Sequence, residues 1–447
     1  MITTPAFADK RYAVLGLARS GMSAVDSLLA GGAQVMAWDS REEPRSTLLG
    51  RVELADPVLA DLTGFAGVVV SPGVPLNTHP IVGVAERFGV PVIGDIELFA
   101  QARAHLPAHR VVGITGTNGK STTTALVHHI LQSAALPVRM GGNIGIPVLS
   151  GNPLAPGGVY VLELSSYQID LTKSLACEVA VLLNLTPDHL DRYDGFSGYA
   201  ASKARLFAMQ RPDQIAIFGM GDPKTMAIAA REAQLRGPAN LRSVDGGDLV
   251  RLQEDWPTLQ GPHNLQNAAV AVAIAEALGL TPAQWRPALA SFRGLPHRME
   301  RVAELGGVMF INDSKATNPA SASPALAAFP PRPGPRIHWI LGGLPKGDQL
   351  DECAPHFGNV AAAYTIGEAG PRFAELLAPH MKVNRSEMLC EAIREAMEAA
   401  KPGDVVLLSP ACASFDQFRD YEARGDTFRQ IVEALAVPDA ASAGGNG

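Results

Sequence analysis

The sequence predicts an α/β protein of three domains: an N-terminal Rossmann-like domain, a central phosphate-loop ATPase-like domain and a C-terminal Rossmann-like domain. Three observations carry that prediction. Short β-branched runs alternate with helical stretches along almost the whole chain, the pattern of parallel sheets covered by helices. Two strand-to-helix turns are glycine-rich, at residues 16–21 and 113–119. A length of 447 residues suits three domains, at roughly 150 residues each. The expected limits are 1–98, 99–297 and 298–437, with a small polar tail, 438–447, read as disordered.

Composition narrows the class. Hydrophobic residues make up 47% and charged residues 18%, a globular balance. A net charge of −7 argues against broad nucleic-acid binding. Any anionic ligand must then be met by local Lys or Arg, helix N-termini and metal. Cys177, Cys353, Cys390 and Cys412 lie far apart with no CxxC spacing, so neither a zinc site nor a disulfide framework is indicated. The N-terminus lacks a signal-peptide layout. The longest uncharged apolar stretch, 268–275, falls far short of the ~20 residues a membrane span needs. A cytoplasmic protein with reduced thiols, and with neither membrane nor nucleic acid as partner, is expected.

Taken in order, Tyr12-Ala13-Val14-Leu15 is a strand and Gly16-Leu17-Ala18-Arg19-Ser20-Gly21 a turn. A helix covers 22–30, Gly31-Gly32 end it, and 34–38 is the next strand. Ala18 stands where the G-x-G-x-x-G fingerprint has its middle glycine, and its methyl group hinders close approach of a pyrophosphate. A nucleotide or nucleotide-sugar held by one end is favoured over a dinucleotide, with a purely structural turn still open. Asp39, at the end of the second strand, has the position that meets a ribose or base. A further strand, 65–70, runs into Ser71-Pro72-Gly73, at the strand edge where open α/β sheets line ligand crevices.

The central domain follows a helical stretch at 95–103. Val111-Val112-Gly113-Ile114 is a strand, and Thr115-Gly116-Thr117-Asn118-Gly119-Lys120-Ser121-Thr122 turns into a helix with Leu126, Ile130 and Leu131 on one face. Free amides at such a helix start, with its dipole, cradle phosphate. Lys120 has the place of the lysine that reaches the β and γ phosphates, and Ser121 that of the hydroxyl on Mg²⁺. Ile114 stands where the strict eight-residue rule has its first glycine. Gly141-Gly142-Asn143-Ile144-Gly145 reads as a loop for close backbone approach, too rich in glycine for an element interior. Glu163 ends a buried strand beginning at Val159, the place of an acidic residue that holds Mg²⁺ in phosphate-loop enzymes. Another strand, 179–185, leads into Thr186-Pro187-Asp188-His189-Leu190-Asp191-Arg192-Tyr193. A lone histidine is more often structural than a ligand, but this one falls where the sheet opens. Lys203, within a helix over 198–207, reads on residue physics alone as solvated. His263, Asn264 and Asn267 lie in the first turn of an apolar helix over 268–278, where they cap it or meet a ligand.

Leu295-Pro296-His297-Arg298-Met299-Glu300 reads as a linker. The third domain is expected to begin with a strand at 308–311 that leads into Asn312-Asp313-Ser314-Lys315-Ala316-Thr317-Asn318. Strands at 337–341, 361–366 and 405–408 and a helix at 388–400 complete a parallel sheet with polar loops at its strand ends. Cys412 reads as a small packed residue.

These motifs, from residues 115–122 through Glu163-Leu164-Ser165-Ser166, Asp188-His189-Leu190-Asp191, His263-Asn264-Leu265-Gln266-Asn267 and His297-Arg298-Met299-Glu300 to Asp313-Ser314-Lys315, together resemble the motif set of the Mur ligases. These are ATP-dependent amide ligases that build the peptidoglycan stem peptide. The resemblance covers almost the whole chain, in the family's order. Residues 16–21 with Asp39-Ser40-Arg41, Ser71-Pro72-Gly73, 312–318 and 409–418 resemble the branch that adds D-glutamate to UDP-N-acetylmuramoyl-L-alanine. The Asp-Asn-Pro-Arg-type loop of the diamine-adding branches is not found.

The resemblance implies a reaction in which the alanine carboxylate takes the γ-phosphoryl group of ATP and D-glutamate then displaces phosphate from the acyl phosphate. It implies Lys120, Glu163, His189, Lys203 and Lys315 as the catalytic set. It implies two Mg²⁺ ions, one held by Ser121, Glu163 and the phosphates, the other by His189 and Lys203. In the family the lysine matching Lys203 is carbamylated. Gly116, Thr117, Asn118, Gly119, Lys120, Ser121 and Thr122, with Asn264, Asn267, Arg298 and Asp313, are implied around the nucleotide. Asn143 is implied near the γ-phosphate and the substrate carboxylate. Lys315, Thr317, Lys346, Ser414, Phe415 and Tyr421 are implied around D-glutamate, and Arg19, Ser20, Asp39, Ser40, Arg41, Ser71 and Gly73 around the UDP-sugar. The loop 342–347 departs from the family's usual acidic residue and lysine after the double glycine, as Ala18 does in the first turn. A cytoplasmic monomer acting in cell-wall synthesis, cell shape and division is implied.

Overall fold

Continuous apolar runs become strands buried on both faces, as a helix-covered parallel sheet requires. The structure is a computed structural model and describes residues 1–436 apart from Asp191, Pro257 and Lys346. The chain divides into two compact units, Met1–Asp248 with Gln266–Leu289 and Leu249–Leu265 with Ala290–Gly447. The expected tail, 438–447, and Lys346 lie outside the described residues.

The first unit holds two sheets. The first sheet is built from β1 (Arg11–Leu15), α1 (Arg19–Ala30), β2 (Gln34–Trp38), α2 (Glu42–Ser46), β3 (Glu53–Leu54), β4 (Phe65–Val70), α3 (Ile81–Arg87), β5 (Val92–Ile93) and α4 (Asp95–Ala102). Its order is β3-β2-β1-β4-β5, all parallel. The order reverses between β1 and β4, so a crevice opens outside their carboxyl ends. The sequence places the first helix at residue 22. It begins at Arg19, because the chain is already helical after the extended residue Ala18.

The second sheet follows with β6 (His109–Thr115), α5 (Lys120–Ser133), β7 (Val138–Gly142), β8 (Gly158–Glu163), α6 (Ser166–Asp170), β9 (Val179–Leu182), α7 (Gly195–Ala208), β10 (Ile215–Gly219), α8 (Pro223–Leu235), β11 (Leu241–Val244), α9 (Pro262–Ala277) and α10 (Pro282–Ser291). Its order is β11-β10-β9-β6-β8-β7, again all parallel. One point corrects the sequence reading: Gly141 and Gly142 end strand β7, paired with Leu162 and Glu163. Those pairs bring two backbones close, which small residues allow. The two sheets share one hydrophobic core, in which Ala24, Val25 and Leu28 join Phe99, Leu149 and Tyr160. The Phe99 and Tyr160 rings meet edge to face at 4.9 Å.

In the second unit, β12 (Glu300–Leu305) runs antiparallel to β13 (Val308–Asn312). The parallel part continues through α11 (Pro319–Ala327), β14 (Ile337–Gly342), β15 (Val360–Ile366), α12 (Gly370–Leu377), β16 (Lys382–Glu387), α13 (Leu389–Ala399), β17 (Val405–Leu408) and α14 (Tyr421–Leu435). The order is β12-β13-β17-β14-β15-β16. The expected wholly parallel sheet is thus corrected: its edge strand β12 is antiparallel and half exposed, and it begins within the expected linker at Glu300. Separate cores fill the two faces of this sheet, around Trp339 and Leu407 on one and Phe310 and Phe428 on the other.

Candidate active site

Sheet register assembles the central loops. β6 lies between β8 and β9, and Ile114 pairs with Glu163 while Thr115 pairs with Leu182. The turns that leave β6, β8 and β9 therefore emerge side by side. Gly119 is the N-cap of α5 in a left-handed conformation, φ 82°. A Cβ on it would stand 2.2 Å from Asn267 Oδ1, so both backbone and space call for glycine. Asn267 is 6% exposed and accepts from Thr123 Oγ1 at 3.3 Å, which fixes its amide against the loop. Asn264, by contrast, donates to Gln260 O in the second unit.

A residue the sequence reading absorbed into a strand clamps the loop. Asn184 Oδ1 accepts from the Asn118 amide at 2.9 Å, and Asn184 Nδ2 donates to Asn118 O at 3.1 Å. The Asn184 carbonyl also takes the Thr117 amide at 2.9 Å. The Lys120 ammonium donates to Gly116 O at 2.9 Å and Thr117 O at 2.7 Å, closing the loop around its own cation. A polar residue just past a buried strand was the only signal for Asn184.

Glu163 is 2% exposed, and Asn143 Nδ2 donates to its Oε1 at 2.9 Å. Its Oε2 is buried, with no hydrogen-bond partner among the described residues. An unsatisfied buried carboxylate oxygen is costly, and it is the donor type that a hard cation takes. Lys203 corrects the solvated reading: it is 1% exposed. The buried face of α7, with Tyr199, Leu206 and Phe207, carries it inward. Its Nζ donates to Thr115 Oγ1 at 3.2 Å and lies 4.8 Å from the Tyr199 ring centre. Burial, and then repulsion from Lys120, depress its pKa to about 7 against the partial opposition of Asp188, Asp170 and Glu163. His189 has φ 52°, its amide donates to Asp188 Oδ1 at 2.9 Å, and its ring lies 5.1 Å from that of Tyr167. Among the described residues no group of three or more His, Cys, Asp or Glu side chains is gathered as a metal site. Glu163 and His189 stand as separate donors.

The first sheet brings its predicted residues to the β1–β4 crevice. Asp39 is 7% exposed and accepts from the Leu17 amide at 2.7 Å and the Arg41 amide at 3.0 Å. Burial works to raise its pKa. Hydrogen bonds from the Arg41 side chain and from the Leu17 and Arg41 amides outweigh that and leave it below the ordinary value. Ser71 Oγ donates to Gly16 O at 2.7 Å. Gly21 packs so closely beneath Gly16 that a Cβ would meet Gly16 O at 1.9 Å. Ala18 leaves the start of α1 without a side-chain cap, and Arg19 and Ser20 occupy its first turn. Ser40, Arg41 and Gly73 are exposed beside it.

A small cavity of about 40 Å³ lies between the loop after β4 and the segment before α7, lined by Pro72, Val74, Tyr167, Asp170, Arg192 and Tyr193. The Arg192 guanidinium stacks on the Tyr167 ring at 4.3 Å and donates to Val74 O at 3.0 Å. Tyr167 thus joins the first-sheet crevice to His189. A larger cavity, about 460 Å³, opens at the opposite edge, where Arg11, Gln34, Glu53 and Phe65 begin, and it holds none of the motif residues.

In the second unit, His297, Asp313, Lys315 and Tyr421 come together. Lys315 Nζ lies 3.8 Å from the Tyr421 ring centre, and the Lys315 amide bonds to His297 O. Asp313 accepts from Ser409 Oγ at 2.7 Å and from the Met299 amide at 3.2 Å. Burial raises its pKa to about 7, with Ser409, Arg298 and the Met299 amide opposing. Thr317 is half-buried, Ser414 is 2% exposed and Phe415 is exposed. Sequence reasoning missed Arg424. It is 1% exposed and bonds Ser314 O and Cys412 O at 3.0 Å each, with Ala413 O at 3.3 Å and Gly342 O at 3.4 Å. It ties the ends of three strands. All four cysteines are free, and Cys412 is buried as expected.

The chain matches known proteins along most of its length. Residues 10–94 match the Mur ligase MurD-like N-terminal domain, 114–275 the Mur ligase middle domain, and 297–412 the Mur ligase glutamate ligase domain. The chain is 72% identical over 435 residues to a UDP-N-acetylmuramoylalanine--D-glutamate ligase of Novosphingobium aromaticivorans, covering 97% of each chain. It is 59% identical to the protein of the same name from Sphingopyxis alaskensis, covering 98% of this chain and 100% of that one. Among solved structures it resembles UDP-N-acetylmuramate-alanine ligase from Thermotoga maritima, at 17% identity and a TM-score of 0.57 over 95% of this chain and 99% of that one, a likeness of fold. With all three domain families matched in order, and relatives this similar over nearly the full length, the chain belongs to the Mur ligase family.

Proposed function

We infer that this chain is an ATP-dependent, ADP-forming ligase that adds D-glutamate to UDP-N-acetylmuramoyl-L-alanine in peptidoglycan synthesis. The observation that carries this is 72% identity across 97% of a relative bearing that name. The alanine carboxylate takes the γ-phosphoryl group of ATP, releasing ADP. The amine of D-glutamate then attacks the acyl carbon, loses a proton, and phosphate leaves. Two anions must approach one another, so the site needs concentrated positive charge.

Lys120 and the free amides at the start of α5 bind the triphosphate. Ser121, Glu163, His189 and a carbamylated Lys203 hold two Mg²⁺ ions, whose charge offsets that of the phosphates. The lone Glu163 oxygen supports the first ion, since its donor chemistry suits a hard cation. A lysine whose pKa falls to about 7 is substantially a free amine near neutral pH, the form that adds to carbon dioxide with loss of one proton. Asn143 orients Glu163 through its amide. Asn264, Asn267, Arg298 and Asp313 serve the nucleotide, and Lys315, Thr317, Ser414, Phe415 and Tyr421 serve D-glutamate. Arg19, Ser20, Asp39, Ser40, Arg41, Ser71 and Gly73 serve the UDP-sugar. Domain limits at 98/99 and 297/298, and a cytoplasmic monomer, complete the proposal. No described helix is long and apolar enough to cross a membrane.

The test supplies ATP, Mg²⁺ and UDP-N-acetylmuramoyl-L-alanine, then D-glutamate, L-lysine or diaminopimelate in separate reactions, and measures phosphate release. Release with D-glutamate alone is expected. Release only with a diamine acid would sink the assignment, and none with any acceptor would leave a sugar-nucleotide binding protein.

A further inference from the structure

Asp170 closes α6, the short helix that starts just past Glu163. That helix is set firmly on the end of β8 by its cap. The Gln168 amide donates to Ser165 Oγ at 3.2 Å, and the Ser165 amide donates to Gln168 Oε1 at 3.1 Å. Both carboxylate oxygens of Asp170 are taken by hydroxyls. Oδ1 accepts from Ser202 Oγ at 2.8 Å, and Oδ2 accepts from the Tyr193 hydroxyl at 2.8 Å. Ser202 is 5% exposed, and its Oγ also lies 3.2 Å from Ser166 O and 3.4 Å from the Tyr193 hydroxyl. These partners sit on the segment that carries His189 and Lys203. Tyr193 follows His189 closely in the chain, and both rings meet Tyr167, the first stacked at 6.1 Å and the second at 5.1 Å. Ser202 directly precedes Lys203 on α7. Successive helical side chains diverge by about 100°. A bond at Ser202 therefore sets the rotation of α7 and, with it, the direction in which Lys203 leaves the helix, toward Thr115 Oγ1 of β6. The proposed reaction gives Asp170, Tyr193 and Ser202 no role of their own.

We propose that Asp170 is a positioning residue for the reaction: its carboxylate, through Tyr193 and Ser202, holds the segment bearing His189 and Lys203 against the strand end bearing Glu163. The proposal rests on the reading that His189 and a carbamylated Lys203 hold the second Mg²⁺. A carboxylate suits the task. It has two acceptor oxygens and no proton, so it takes two O–H donors at once and asks neither to accept in return. An asparagine of the same size offers one oxygen. Its amide protons face a hydroxyl that must turn round to accept them, so one arm of the clamp no longer stands as it did. Loosening either arm lets the segment shift relative to β8, and the donors of the second ion then lose their place while those of the first keep theirs.

The experiment counts bound Mn²⁺ by electron paramagnetic resonance, with a non-hydrolysable ATP analogue in buffer equilibrated with carbon dioxide. It compares wild type, Asp170→Asn, Ser202→Ala and Lys203→Ala. Wild type should bind two ions. In Asp170→Asn the first ion and the ATP analogue should bind as in wild type. The second ion should weaken by roughly 10–100-fold, the scale for residues that orient metal ligands. In turnover, kcat should fall while the ATP KM stays. Ser202→Ala removes only the arm beside Lys203 and places a good helix former on α7, and it should weaken the same ion. A merely structural role would weaken both ions and the nucleotide together. That result overturns the proposal, as does a second ion bound at wild-type strength. Should Asp170→Asn fail to fold, Ser202→Ala decides on the same outcomes. Lys203→Ala separates the proposal from the reading beneath it. If the second ion is lost there but held at wild-type strength in Asp170→Asn, the proposal alone is overturned. Two tight ions in Lys203→Ala, or only one in wild type, overturn the metal reading and the proposal with it.

Discussion

Lys203 is a cation carried into a nearly dry place, and its behaviour follows from that. Lys203→Ala is expected to lose about 10²-fold or more in kcat, the scale of removing a charge-stabilising group. Part should return on adding a short carboxylic acid, because the pocket then receives the carboxylate that a carbamate supplies. Turnover at full wild-type level in Lys203→Ala would contradict the role. Stability carries a second signature. The unmodified side chain has a folded pKa near 7, below its ordinary 10.5. Between those values the unfolded chain binds the proton and the folded chain does not, so stability rises with pH across that window. Denaturation of carbon-dioxide-free protein should show this rise, and Lys203→Met should lack it. Gly119→Ala tests the loop at one atom. Its strained φ and its contact with Asn267 should together cost about 1–3 kcal/mol, read as a lower unfolding midpoint with weaker ATP binding.

The turns at the carboxyl edges of the strands act as elements tied by a few side chains. Asn184→Ala removes both amide bonds to Asn118. A rise in the ATP KM of roughly tenfold is expected, corresponding to about 1–1.5 kcal/mol for a lost neutral pair. The D-glutamate KM should move little. Arg424→Met should destabilise the second unit by about 3 kcal/mol or more, since several buried carbonyls lose their donor at once. Chemical denaturation checks it. Strands buried on both faces, such as β4 and β17, are legible as unbroken apolar runs. β3 and β5 are two residues long, and β16 reads Lys-Val-Asn-Arg-Ser-Glu, so propensity carries no signal for them. The loop motifs were legible because phosphate chemistry restricts residue type at short spacing. Asn184 and Arg424 were not, because each acts across a long sequence separation that only packing brings together. The solvated reading of Lys203 failed for the same reason, as neighbours on α7 and β6 decide its burial.

At the scale of the whole chain, the two units have separate cores, so a ligand held by one should register there first. Saturating UDP-N-acetylmuramoyl-L-alanine at 100 times its Kd should stabilise the unit that binds it by about 2.7 kcal/mol. Amide hydrogen exchange should slow at residues 16–21 and 71–74 and stay unchanged in β14 and β17. Equal slowing in both units would show that the sugar is not held in the first alone. The shared core beneath the first two sheets makes the further expectation that their exchange protection falls together on heating.

The clamp on Asn118 has a consequence for the ageing of the protein. Asn118 is followed by glycine, the neighbour least able to hinder a backbone nitrogen from closing on the asparagine side chain and releasing ammonia. Such a reaction would plant a negative charge, or a lengthened backbone, where a triphosphate has to sit. It requires the 118–119 peptide to rotate against the 117–118 peptide, and the two bonds from Asn184, one to each peptide, hold them still. The same amide that shapes the loop for catalysis therefore protects its shelf life. Stored Asn184→Ala protein should gain mass at the 118–119 peptide faster than wild type, and bound nucleotide should slow the change in both.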